Sequence, residues 1–64
     1  MKATINGNAE GRWRLALGVE VDVLGFAAGN RRARDVRLLD DAAGHKAGRV
    51  VTLPASWLDE ERAA

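Results

Sequence analysis

Four guanidinium groups and one carboxylate fall within the seven residues Arg31-Arg32-Ala33-Arg34-Asp35-Val36-Arg37. Arg12-Trp13-Arg14 adds two more cations and an indole. A guanidinium is planar and always charged. It matches a phosphate or carboxylate with a fork of N–H donors and stacks on flat rings. On two neighbouring strands, these side chains would form one surface for a phosphate backbone, with ring faces available to bases. Phe26 lies in the Gly/Ala-rich stretch Gly25–Asn30 and is the expected exposed ring. Trp13 instead carries the apolar parity of its own segment. The candidate nucleic-acid-binding residues are therefore Arg12, Arg14, Phe26, Arg31, Arg32, Arg34 and Arg37. The same arginines have a structural reading as well. Glu20, Asp22, Asp35 and the run Asp59-Glu60-Glu61 are available to pair with them across strands.

The overall charge does not choose between these readings. Ten Lys and Arg against nine Asp and Glu leave a net charge of +1, whereas a protein that coats nucleic acid without sequence preference is usually more basic. Eight of the ten cations are arginine. That bias suits recognition chemistry and equally suits a GC-rich coding sequence.

Catalytic chemistry finds little to work with. Nucleophile-and-base pairs can draw only on His45, Ser56, Thr4 and Thr52. His45 falls in a glycine-flanked turn, a poor mount for a general base, and Ser56 is better placed as a helix cap. Asp40-Asp41 and Asp59-Glu60-Glu61 read as solvated turn and helix-start charges. With no cysteine, thiolate and disulfide chemistry are excluded, and one histidine does not make a zinc site. No phosphate-binding loop or dinucleotide fingerprint is present. The expectation is a protein that is not an enzyme and takes no cofactor or metal.

The elements that must hold the arginines are read from periodicity. Lys2–Asn6 predicts a first short strand, ended by the turn pair Asn6-Gly7. From Arg12 to Leu17 the residues alternate, with Trp13, Leu15 and Leu17 on one face, which predicts a half-buried strand. Val19, Val21 and Val23 continue that parity beyond Gly18, so a single strand bent at the glycine is expected over Trp13–Val23, with two strands joined at Leu17-Gly18 as the alternative. Gly29-Asn30 marks a second turn. Arg31–Leu39 predicts a strand whose second half enters the core through Val36 and Leu38. Asp40–Gly44 reads as a turn and Gly48–Leu53 as the last strand, stopped by Pro54. Ser56-Trp57-Leu58-Asp59 has the spacing of a helix capping box. A short C-terminal helix is therefore expected, with Asp59, Glu60 and Glu61 in its first turn. Such a helix does not survive alone and must dock through Trp57 and Leu58, which are the candidate interface residues.

Two stretches resemble known families, each over less than half of the chain. Asn8-Ala9-Glu10-Gly11-Arg12-Trp13-Arg14-Leu15 is similar to the Asn-Ala-Glu-Lys-Gly-Phe-Gly-Phe stretch of cold-shock domains, which implies an aromatic nucleic-acid-binding strand. That family's second aromatic motif has no counterpart here. Asp40–Val51 with the following helix resembles the small archaeal SH3-like chromatin proteins, which are lysine-rich where this chain is not.

Residues 1–64 thus predict one small, mainly β domain: an antiparallel β-barrel, SH3-like or OB-like, with a short C-terminal α-helix. Apart from Met1, seventeen large apolar side chains form a thin core, so a homo-oligomer, most simply a dimer, is expected. No apolar run reaches the roughly 20 residues that cross a bilayer, and no secretory signal is seen. The expected setting is cytoplasmic with no membrane contact. The expected role is a non-catalytic binding module with nucleic acid as partner. The alternative is a protein-interaction or assembly module, such as a small regulator, inhibitor, or phage or plasmid accessory protein.

Overall fold

The computed structural model describes residues 1–60. Its elements are β1 (Lys2–Ile5), a 3-10 helix η1 (Gly11–Ala16), β2 (Glu20–Ala27), β3 (Asn30–Leu38), β4 (Val50–Pro54), a 3-10 turn η2 (Ala55–Trp57) and β5 (Leu58–Glu60). The five strands make one antiparallel sheet in the order β4-β3-β2-β1-β5. Alternation explains its core face. Ala3 and Ile5 on β1, Val21 and Val23 on β2, and Val36 and Leu38 on β3 are all buried. The residues between them, Thr4, Asp22 and Arg37, face outward or lie partly exposed. Pairing stacks the buried residues into rows, Ala3–Val21–Leu38 and Val23–Val36–Val51.

The mainly β expectation holds, but the sheet does not close into a barrel. β4 and β5 are its two edges, and no ladder joins them among the described residues. They are nevertheless consecutive in sequence, linked by the three residues of η2. A sheet whose opposite edges are tied so closely must curl, which turns its apolar face inward. The core within that curl consists of Ala3, Ile5, Ala9, Ala16, Val21, Val23, Val36, Leu38, Ala42, Leu53 and Leu58, with Trp13, Val19, Val51 and Trp57 packed against it.

Two elements differ from the sequence reading. The strand expected over Arg12–Leu17 is the 3-10 helix η1. A 3-10 helix repeats every three residues, so Trp13 and Ala16 turn towards the core, and Val19 packs there from beyond the Gly18 turn. Leu15 and Leu17 instead stand 90% and 64% exposed. Gly11 and Gly18 bracket the element with φ of 61° and 83°, which glycine adopts without steric cost. The aromatic strand implied by the cold-shock resemblance is therefore absent.

The second correction is at the C-terminus. Ser56 caps no helix. Ala55–Trp57 is a single 3-10 turn, and Leu58–Glu60 is a strand paired to β1 through Ala3↔Glu60, Thr4↔Asp59 and Ile5↔Leu58. β1 would otherwise be an unpaired edge, and pairing it gains more than a helix too short to hold itself. Glu61 of the expected helix lies outside the described residues. The backbone carbonyl of Ser56 accepts hydrogen bonds from the side-chain amides of Asn6 and Asn8, each at 3.0 Å.

Candidate nucleic-acid interface

The expected arginine surface is divided by the fold. Arg12 and Arg14 sit on η1, which leads into the start of β2, while Arg31 and Arg32 follow the turn at its far end. β2 has eight residues and spans roughly 23 Å at the rise of an extended strand, so the two pairs lie at opposite ends of the sheet. Arg12 lies beside the Gly44 turn, near the stacked rings of Trp13 and His45, whose centroids are 5.5 Å apart. Arg14 lines a small surface pocket with Asn6, Gly7, Ala9 and Leu17. Arg37 is on the outer face, directly opposite Asp22. On that same face Lys2 Nζ approaches Glu20 at 3.8 Å, and the Thr52 hydroxyl donates to Asp35 at 2.7 Å. The outer face therefore carries interleaved signs.

The remaining candidates come together at one place. Phe26 is paired with Arg34, and Arg34 with Leu53 on β4, so all three share the inner face. A bulge puts Phe26 there. Val23 faces Val36 and Gly25 faces Asp35, leaving Leu24 without a partner. One extra residue reverses the parity of the residues after it, so Phe26 joins the face of Val21 and Val23. Gly25 has a φ of 155°, a conformation side chains disfavour. Its position in a run of alternating residues is the one sequence signal for the bulge.

Phe26 is 63% exposed, as expected for it, and the Arg34 guanidinium carbon lies 4.4 Å from its ring centroid. This is the geometry of a cation held over an aromatic face. Arg34 Nε donates to Glu60 Oε1 at 3.1 Å, and its Nη1 donates to the carbonyls of Arg31 at 2.6 Å and Ala33 at 3.2 Å. Arg34 therefore shapes the adjoining bulge of β3, where Arg31, Arg32 and Ala33 are skipped between the pairs Phe26↔Arg34 and Ala27↔Asn30. Asn30 supports the same stretch by accepting the Arg32 backbone N–H at 2.9 Å. Arg31 and Arg32 are exposed. Beside them a pocket of about 260 Å³ opens among Met1, Val23, Gly25, Phe26, Arg34 and Glu60.

The two interface candidates have a different environment. Leu58 is buried in the core, and Trp57 is half-buried against it. No helix among the described residues is long and apolar enough to cross a membrane. Compared with protein-family models, curated proteins and solved structures, the chain gives no match.

Proposed function

We propose that this chain is a non-catalytic binding module that associates with nucleic acid through the Phe26–Arg34 end of its sheet, in a cytoplasmic setting. The observation that supports this reading is an exposed aromatic ring and a guanidinium held face to face, with the exposed Arg31 and Arg32 beside them. Such a group offers a stacking surface and phosphate contacts together, the combination used to bind single strands. Arg37 faces Asp22, and Arg12 and Arg14 are remote, so these three are secondary contacts. We read the open sheet as SH3-like rather than OB-like. Its first four strands follow one another as a meander and the fifth returns beside the first, whereas the OB fold is a Greek key.

Titrating labelled single- and double-stranded oligonucleotides at two salt concentrations tests the reading. Phosphate contacts release counterions, so affinity falls steeply with salt. Replacing Arg31 and Arg32 together by glutamine weakens binding to unrelated sequences alike and flattens the salt slope by roughly one unit per lost contact. Absence of binding at low salt, where charges are least screened, ends this reading.

A protein-interaction or assembly module is the second reading, and one observation favours it. Among the described residues β4 is an edge with no partner on its outer side, it has no charged residue in Val50-Val51-Thr52-Leu53-Pro54, and Val50 is half exposed. Edge strands are usually guarded by charge, and two such edges meeting about a two-fold axis would form a dimer. A single species of monomer mass in sedimentation at micromolar concentration removes the self-association part of this reading.

A further inference from the structure

Resting on the nucleic-acid reading above, we propose that the pocket beside Phe26 takes one unpaired base and selects guanine. Its volume of about 260 Å³ lies just below the roughly 300–1,000 Å³ typical of pockets for drug-sized ligands, which suits a single flat base. The space beside Gly25 is open, since a Cβ there would meet nothing within 4 Å. Arg34 covers the Phe26 ring at 4.4 Å, yet the residue stays 63% exposed, so ring surface remains for a base to stack on.

The polar wall sets the choice of base. Glu60 lines the pocket and is held by Arg34 Nε at its Oε1. No hydrogen bond within the described residues uses Glu60 Oε2 or Arg34 Nη2. An ionised carboxylate only accepts hydrogen bonds. Guanine presents two adjacent donors on its pairing edge, N1–H and the N2 amine, and both carboxylate oxygens can take them side by side. Adenine and cytosine each present one amine beside an acceptor nitrogen. Thymine and uracil present one N–H flanked by two carbonyl oxygens, which the carboxylate repels. The pairing edge is hidden in a duplex and open in a single strand, so the same pocket discriminates against duplex. Arg34 Nη2 and the exposed Arg31 and Arg32 are available to contact the flanking phosphates.

The test uses the full chain and a labelled ten-nucleotide thymine strand at low salt. The strand is compared with versions carrying one central guanine or one central hypoxanthine, and with the guanine strand in duplex form. The expected result is about tenfold tighter binding with guanine than with thymine alone, the effect of one bidentate base contact. Hypoxanthine, which lacks the N2 amine, should fall between them, and the duplex should lose the preference. Glu60→Gln should abolish the guanine preference. Phe26→Leu should weaken single-strand binding at least severalfold without changing the salt slope. Phe26 is exposed, so this variant keeps the test valid if Glu60→Gln does not fold. Equal affinity for guanine and thymine strands, or affinity indifferent to Phe26→Leu, overturns the base pocket. If binding still falls with salt and with the Arg31/Arg32 double substitution, the backbone association stands without it. Absence of binding to every strand overturns both.

Discussion

The Arg34 guanidinium and the Glu60 carboxylate meet at 3.1 Å although their strands are three places apart in the sheet. In a flat sheet that separation would be roughly 14 Å. The contact exists because η2 ties the edge strands together and the sheet curls, so β5 comes round to face β3. Among the described residues no backbone ladder crosses this seam, and the ion pair is a side-chain hydrogen bond that does.

The pair is partly screened by solvent, so its coupling should lie above that of a fully exposed pair and below that of a buried charged hydrogen bond. A double-mutant cycle with Arg34→Met and Glu60→Gln in urea denaturation should return a coupling of about 1 kcal/mol. Additivity within about 0.3 kcal/mol would mean that the seam is held by packing alone.

Asn6 joins the loop after β1 to the far end of the chain. Its amide donates to the Ser56 carbonyl at 3.0 Å and to Asp59 Oδ1 at 3.1 Å, and its own carbonyl accepts the Asn8 N–H at 2.9 Å. Asn6→Ala removes all three and should cost about 1–2 kcal/mol, since several modest hydrogen bonds are lost from a half-buried site. Asn6→Asp should cost more, because a carboxylate would face the acceptors of Ser56 and Asp59. Thermal denaturation ranking Asp above Ala in stability would contradict this account.

The β3–β4 connection contains a two-residue turn at Ala43-Gly44, closed by the bridge Ala42↔His45. Ala43 has a φ of 51° and Gly44 of 83°. Positive φ at both positions is the type I′ pattern, which favours Asn-Gly, and alanine there is strained by about 1–2 kcal/mol. Ala43→Asn should therefore stabilise the protein by about 0.5–1 kcal/mol, and Ala43→Gly by less, because glycine also loosens the unfolded chain. A shift in the urea midpoint at unchanged slope measures it. No gain from either variant would show that the turn relaxes in solution.

Much of the sheet was legible in the amino-acid order. Lys2–Ile5, Val19–Val23, Val36–Leu38 and Val50–Leu53 alternate because one face of each must leave water. Asn6-Gly7 and Gly29-Asn30 mark turns: Asn6 and Asn30 each accept a backbone N–H two residues on, and Gly29 has a φ of 72°. The exposure of Phe26 followed from its Gly/Ala-rich surroundings. Trp13, Leu15 and Leu17 misled because odd-numbered spacing fits a strand over so short a run. The decisive relation was the three-residue step from Trp13 to Ala16, which marks a face only once η1 has a core to pack on.

What the sequence by itself determined was a small β-rich chain, the inward-facing valines of β2 and Val36 and Leu38 of β3, and the crowding of arginines near residues 31–37. These follow from local alternation, turn chemistry and composition, which need no partner. Tertiary structure alone decided that Leu58–Glu60 is a strand, since only the open side of β1 makes extension preferable to a helical turn. It also decided that the sheet curls without closing, and that Phe26 shares a face with Arg34. The last depends on one unpaired residue, Leu24, whose insertion is defined only against the register of β3. Pairing between strands distant in sequence sets all three, and that energy is not written in any single segment.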